Sequence, residues 1–148
     1  MGIQQAAMII AHEKVYLPKL GRTPMGLYWE CGPYLEAPLD VNELARTLAS
    51  VIDTGNPVIP HPTQEEFRKW TPTEKALGTR SYRKLAQQGV ISCAVSWLES
   101  GIAVAFSPPD AKDIQVVDYS SQKMFPLDAN LSDICQYILS EVKARRNG

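Results

Sequence analysis

Between Ile91 and Phe106 the chain alternates large and small residues more sharply than anywhere else. Ile91, Cys93, Val95 and Trp97 interleave with Ser92, Ala94 and Ser96; after Glu99-Ser100-Gly101, the residues Ile102, Val104 and Phe106 interleave with Ala103 and Ala105. A period of two with the bulk on one face predicts two paired strands. Gly101 suits the left-handed position of a three-residue loop. The opposite face, carrying only small residues, would let a helix sit close. Pro108-Pro109 ends the ladder.

A different period marks the helices. Val41, Leu44, Ala45, Leu48, Val51 and Ile52 recur at helical spacing behind Asp40 and Glu43, a capping-box start, and Gly55 then Pro57 stop the run. Leu131, Ile134, Cys135, Ile138, Leu139 and Val142 form a second stripe, with Lys143, Arg145 and Arg146 at the negative end of its dipole. Between them, Thr63 with Glu66 and Thr71-Pro72-Thr73-Glu74 predict two more helix starts. The first opens a short helix through Trp70. The second runs towards Gln88, interrupted near Gly78 and ended by Gly89.

The first third is less regular. Met8 to Leu17 reads as one or two strands broken by His12, Glu13 and Lys14. Gly21 to Pro24 is turn chemistry, and Leu27 to Glu36 reads as a strand kinked at Gly32-Pro33, since Pro33 cannot donate to a central ladder. Ile114 to Tyr119 and Met124 to Leu127 read as two further short strands. The sum is an α+β fold: one domain over residues 1–148, a mostly antiparallel sheet with a C-terminal hairpin, packed against three to four helices.

Composition narrows the class. At 148 residues the chain is long enough to bury a core without staples. The net charge of −1 supplies no overall basic field for nucleic acid or a membrane. The three cysteines, Cys31, Cys93 and Cys135, are an odd number at wide spacings, and two of them fall in apolar patterns, which suits buried thiols in a reducing cytoplasm better than a disulfide framework. The apolar run from Ala6 to Ala11 is too short for a signal peptide or a span. A cytoplasmic protein is expected.

Catalytic equipment is harder to find. His12 and His61 could serve as the base and acid of a small hydrolase or nuclease, one histidine taking a 2′-hydroxyl proton and the other protonating the leaving group. Nothing in the sequence brings them together, and His61, between two prolines, reads as a loop residue. No metal-ligand spacing, phosphate loop or serine nucleophile motif occurs, so no cofactor is expected. Arg68, Lys69, Lys75, Arg80, Arg83 and Lys84, with Trp70 and Tyr82 among them, could form a nucleic-acid-binding module. The balanced total charge favours a solvated helical face, so no nucleic-acid partner is expected. Acids dominate elsewhere. Glu30, Glu36, Asp40, Glu43 and Asp53 surround the first long helix, while Glu99, Asp110, Asp113 and Asp118 fall on loops or strand edges of the C-terminal half.

The order of pieces in the second half resembles that of bacterial immunity proteins of contact-dependent growth inhibition (CDI) systems. It begins with a basic helix ending at Arg83-Lys84-Leu85, followed by a strand at Ser92-Cys93-Ala94-Val95. A return strand from Gly101-Ile102 then runs into Ser107-Pro108. Phe125-Pro126-Leu127-Asp128 leads to a helix from Leu131 and Ile134. The resemblance covers about half of the chain. It implies a small cytoplasmic α+β protein without catalysis, which binds and blocks the toxic C-terminal domain of a delivered effector, often a nuclease. On that reading Glu99, Asp110, Asp113 and Asp118 contribute a toxin-facing edge, where complementary charge speeds association.

Overall fold

The computed structural model describes residues 2–110, 112–114 and 117–147. Six strands, β1 (Gln5–Ala11), β2 (Lys14–Arg22), β3 (Tyr28–Pro38), β4 (Ile91–Leu98), β5 (Gly101–Phe106) and β6 (Lys123–Phe125), form one sheet. Its order is β3-β2-β1-β4-β5-β6 and every pairing is antiparallel. The helices are α1 (Val41–Thr54), α2 (Gln64–Arg68), α3 (Pro72–Leu77), α4 (Tyr82–Gln87) and α5 (Leu131–Asn147). The α+β expectation is met, with two long helices and three short ones. The 64–87 region splits because each polar start there carries its own cap.

Those caps are explicit. Thr63 and Glu66, and likewise Thr71 and Glu74, exchange both bonds of the capping box. Asp40 accepts the Glu43 amide at 2.9 Å, but the Glu43 carboxylate turns to Arg46 at 3.0 Å. That start is half a box. An N-cap of this kind contributes about 1 kcal/mol.

Cross-strand partners confirm the main hairpin: Cys93 faces Phe106, Val95 faces Val104 and Trp97 faces Ile102. Its loop is tighter than three residues, because Leu98 pairs directly with Gly101. Gly101 sits at φ +146°, and a Cβ there would stand 2.5 Å from the Phe125 carbonyl oxygen. Glycine is required for β6 to approach this closely.

The large-residue face carries the principal core. Met8, Ile10, Val15, Leu17, Val95 and Val104 from the sheet meet Leu44 and Leu48 of α1 and Ile134, Cys135 and Ile138 of α5. Fully burying one such aliphatic side chain stabilises by about 1.5–3 kcal/mol. The long helices therefore lie on the bulky face, while the helix that reaches the small face is the short α4, through Leu85. Flat alanines give a helix little apolar volume to interlock with. The small face is closed by a satellite core of Leu85, Val90 and Ile114 against Ala11, with Ile9 and Tyr16 at its margin.

Two other expectations change. Ile114 lies in a turn and its carbonyl accepts the Ser92 hydroxyl, while Tyr119–Ser121 forms a 3-10 turn. The residues described between 114 and 119 form no strand; Gln115 and Val116 of that expected strand lie outside the described residues. Met124 and Phe125 do pair, in the short β6, which begins at Lys123 and stops before Pro126. In the first third, β3 runs unbroken through Gly32-Pro33, which an edge strand tolerates. Its register does break there: β3 spends three residues against two of β2 from Leu35 to Gly32, and two against one from Gly32 to Glu30, so the irregularity expected near Gly32-Pro33 takes the form of bulges on β3 itself.

Candidate functional site

The sheet ends at β6, a three-residue strand whose outer side has no neighbour among the described residues. Around it lie large apolar side chains in water: Tyr119 (54% exposed), Leu127 (55%), Leu98 (44%) and Met124 (40%). Their positions follow from the register. Met124 faces Ala103, which faces Ser96, so Met124 shares the small-residue face with Leu98. The Met124 Cε lies 3.3 Å from where a Gly101 Cβ would be. Lys123 hangs over the Phe125 ring at 5.9 Å and places a charge on the strand edge.

Acids bracket this margin. Glu99 occupies the β4–β5 turn, exposed. Asp110 is exposed beyond the other end of β5, and the Asp118 amide donates to Phe106 at that same end. Asp113 lies between them in sequence and is partly buried. Six residues of strand separate the Glu99 end from the Asp118 end, roughly 20 Å at ~3.4 Å per residue. The structure therefore does not gather the four acids into one cluster; it puts Glu99 at one end of β5 and Asp110 and Asp118 at the other. The Asp118 carboxylate is also occupied. It accepts from Ser120 N–H at 3.1 Å and from the Ser121 hydroxyl at 3.0 Å, and these bonds from Ser120 and Ser121 lower its pKa.

The two histidines stand apart. His12 forms the β1–β2 turn, with φ +57°, just before β2 begins. His61 follows Ile59, whose amide bonds Arg22 at the far end of β2, and its ring meets Phe67 at 5.8 Å. Nine residues of strand lie between, roughly 30 Å at ~3.4 Å per residue. They cannot act on one phosphodiester. The basic segment is likewise partly structural. Arg80 donates to the carbonyls of Phe67 and Arg68 at 2.7 and 2.8 Å, and its Nε lies 3.3 Å from Glu74.

Glu30 and Glu74 form an arrangement that sequence reasoning missed. Glu30 leaves the edge strand β3 away from α1 and accepts from Thr73 N–H (3.1 Å) and Thr73 hydroxyl (2.7 Å). Glu74, buried, accepts from Thr71 N–H at 2.8 Å and Tyr82 OH at 3.1 Å. Together with Tyr28, Trp29 and Tyr82 they border a cavity of about 210 Å³ between β2–β3 and α3–α4. Burial raises the pKa of Glu30 despite the Thr73 and Thr71 hydrogen bonds, and the Glu74 charge adds to the rise. Burial, then Glu74, pushes Tyr82 up to about 12. Nothing in the local sequence singles out Glu30, since its partners lie 43 residues on. Glu30 clasps α3 to the sheet, and Glu74 ties α3 to α4 through Tyr82.

Among the described residues no group of three or more histidine, cysteine or acidic side chains could hold a metal ion, and no helix is long and apolar enough to cross a membrane. No family model and no curated protein matches the sequence. The fold does match solved structures. A protein of unknown function from Neisseria meningitidis, NMB0488, superimposes with a TM-score of 0.60 at 14% identity, over 96% of this chain and 94% of that one. A chain of the CdiA-CT/CdiI toxin and immunity complex from Yersinia pseudotuberculosis superimposes with a TM-score of 0.55 at 12% identity, over 96% of both chains. At these identities the likeness is one of fold.

Proposed function

We propose that this chain is an immunity protein, which binds the toxic C-terminal domain of a CDI effector, a nuclease, and blocks it in the cytoplasm. The fold likeness to a chain of a toxin and immunity complex, spanning nearly all of both chains, carries the reading. The order of elements in the second half, noted in the sequence, points the same way. On this reading the protein acts by occupying a surface, and no catalytic step is assigned to it.

The β6 margin suits that task. It combines exposed apolar side chains, Tyr119, Met124 and Leu127, with the acids Glu99, Asp110, Asp113 and Asp118. Apolar contacts supply affinity, and the acids steer a basic nuclease domain onto the edge. The rigid β4–β5 hairpin beneath keeps the ordering cost of binding low.

Calorimetric titration against the C-terminal domain encoded by the gene immediately upstream tests the proposal. Nanomolar, one-to-one binding that abolishes the domain's toxicity is the expected result; no binding overturns it. Reversing all four acidic charges together should slow association and weaken binding. Unchanged affinity would remove the acidic edge from the interface while leaving the immunity role in place.

A further inference from the structure

Arg145 and Arg146, in the last turn of α5, help to frame a cavity of about 550 Å³ beside the β1–β2 turn. His12, Glu13, Gln88 and Ser107 are among its polar lining. It lies beyond the Phe106 end of β5, next to Asp110 and Asp113, and the proposed immunity role gives its two arginines no task.

Both guanidiniums are anchored by main-chain carbonyls. Arg145 Nη1 donates to Ser107 and Arg146 Nη2 to His12, and Arg145 also lies 4.9 Å from the centre of the Phe106 ring. A carbonyl takes an N–H without cancelling the charge behind it. The carboxylates paired with these cations stand back: Glu141 is 3.9 Å from Arg145 Nε and Glu13 is 3.8 Å from Arg146 Nη1. Both distances exceed hydrogen-bonding range. Glu13, with 89% of its side chain exposed, is screened by water as well. Arg145 Nε is the one buried side-chain donor or acceptor without a hydrogen-bond partner among the described residues. That nitrogen has no contact with solvent, so its missing partner is a cost of packing inside the fold, and an anion in the cavity would have to use the Nη groups.

We propose that this cavity binds an oxyanion, a phosphate or carboxylate group, between Arg145 and Arg146. Two guanidiniums held by carbonyls are positioned in advance, and their planar forks match the paired oxygens of either group. The wall is built from distant segments, since Arg146 and His12 are 134 residues apart in sequence.

The test follows the Nε–Hε signals of Arg145 and Arg146 and the ring signals of His12 by NMR. Inorganic phosphate and acetate are titrated separately, with sodium chloride holding ionic strength constant. Saturable shifts confined to these residues are expected, with the affinity about tenfold weaker in Arg146→Gln, which removes one charged donor. Arg145→Lys keeps the charge, loses the fork, and should also weaken binding. Saturation by phosphate at the lower concentration identifies a phosphate site; saturation by acetate at the lower concentration identifies a carboxylate site, such as an acidic side chain would fill. No saturation by either anion, shifts reproduced by chloride alone, or affinities unchanged in both variants would overturn the proposal.

Discussion

Asn56 holds Gln5 by both of its main-chain groups. Its Oδ1 accepts the Gln5 N–H at 2.9 Å and its Nδ2 donates to the Gln5 carbonyl at 2.9 Å. The same side chain accepts Gln4 N–H at 2.7 Å and donates to the Leu20 carbonyl at 3.1 Å. One amide thus bridges β1 and β2 beyond Pro18, where the direct β1–β2 pairs of Ile9 to Ala11 no longer reach. Asn56→Ala unpairs four main-chain groups and should destabilise by about 2–4 kcal/mol. Urea unfolding followed by circular dichroism would show it, with a lowered midpoint and little change in slope.

Gly101 and Gly89 both have positive φ, yet only one is crowded. A Cβ at Gly101 meets the Phe125 carbonyl oxygen at 2.5 Å, whereas one at Gly89 meets nothing within 4 Å. Gly89→Ala should cost about 1 kcal/mol, the conformational penalty alone. Gly101→Ala should cost about 2–4 kcal/mol, because β6 must also shift. Equal losses in thermal unfolding would count against the close approach of β6 to the turn.

Glu30 gives stability a definite slope with pH. Its folded pKa is raised above the ordinary 4.5, chiefly by burial, so the folded state holds the proton more tightly than the unfolded chain does. This residue's contribution is fully present below pH 4.5 and is lost as pH rises through the folded value. Glu30→Gln keeps an acceptor for Thr73 and cannot titrate. The stability difference between variant and wild type should therefore grow in the variant's favour over that window and level off above it.

The three thiols should separate by reactivity. Cys31 is exposed, whereas Cys93 and Cys135 are buried. Burial raises Cys93 strongly and pushes Cys135 up to about 11, so neither forms thiolate near neutral pH. Ellman's reagent should titrate Cys31 alone in the native protein and all three thiols in guanidinium chloride. A second fast thiol without denaturant would contradict the packing of α5 on β4.

Much of this fold could be read from side-chain size and spacing. The hairpin partners of Cys93, Val95 and Trp97 followed from alternation, because slipping the register by one would turn the large residues out of the core. Leu44 and Leu48, and Ile134 and Ile138, announced their helices by period. What escaped were relations between distant segments. Asn56, between Gly55 and Pro57, looked like part of a helix stop, since its partners at Gln4 and Gln5 lie more than fifty residues back. Glu30 looked like one of the acids around α1 until β3 turned it towards Thr73. Ile114 looked like strand because it is apolar; it serves instead as a plug beneath the small face. Glu99 and Asp110 could be read as exposed loop residues, but not the partial burial of Asp113 and Asp118 or the length of β5 between the two ends.

The strand order has a consequence for synthesis. Ile10 pairs with Val15 on one side and with Ile91 on the other, so the N-terminal strand lies in the middle of the sheet. Its first neighbour follows at once; its second emerges from the ribosome roughly eighty residues later, after ~4–16 s at typical elongation rates. Until then β1, β2 and β3 can form only a meander with a bare inner edge bearing Met8 and Ile10. The α5 stripe that covers this face is made later still. The early strands therefore wait for β4 and α5, and a copy cut before β4 would expose a sticky strand where the sheet has its middle.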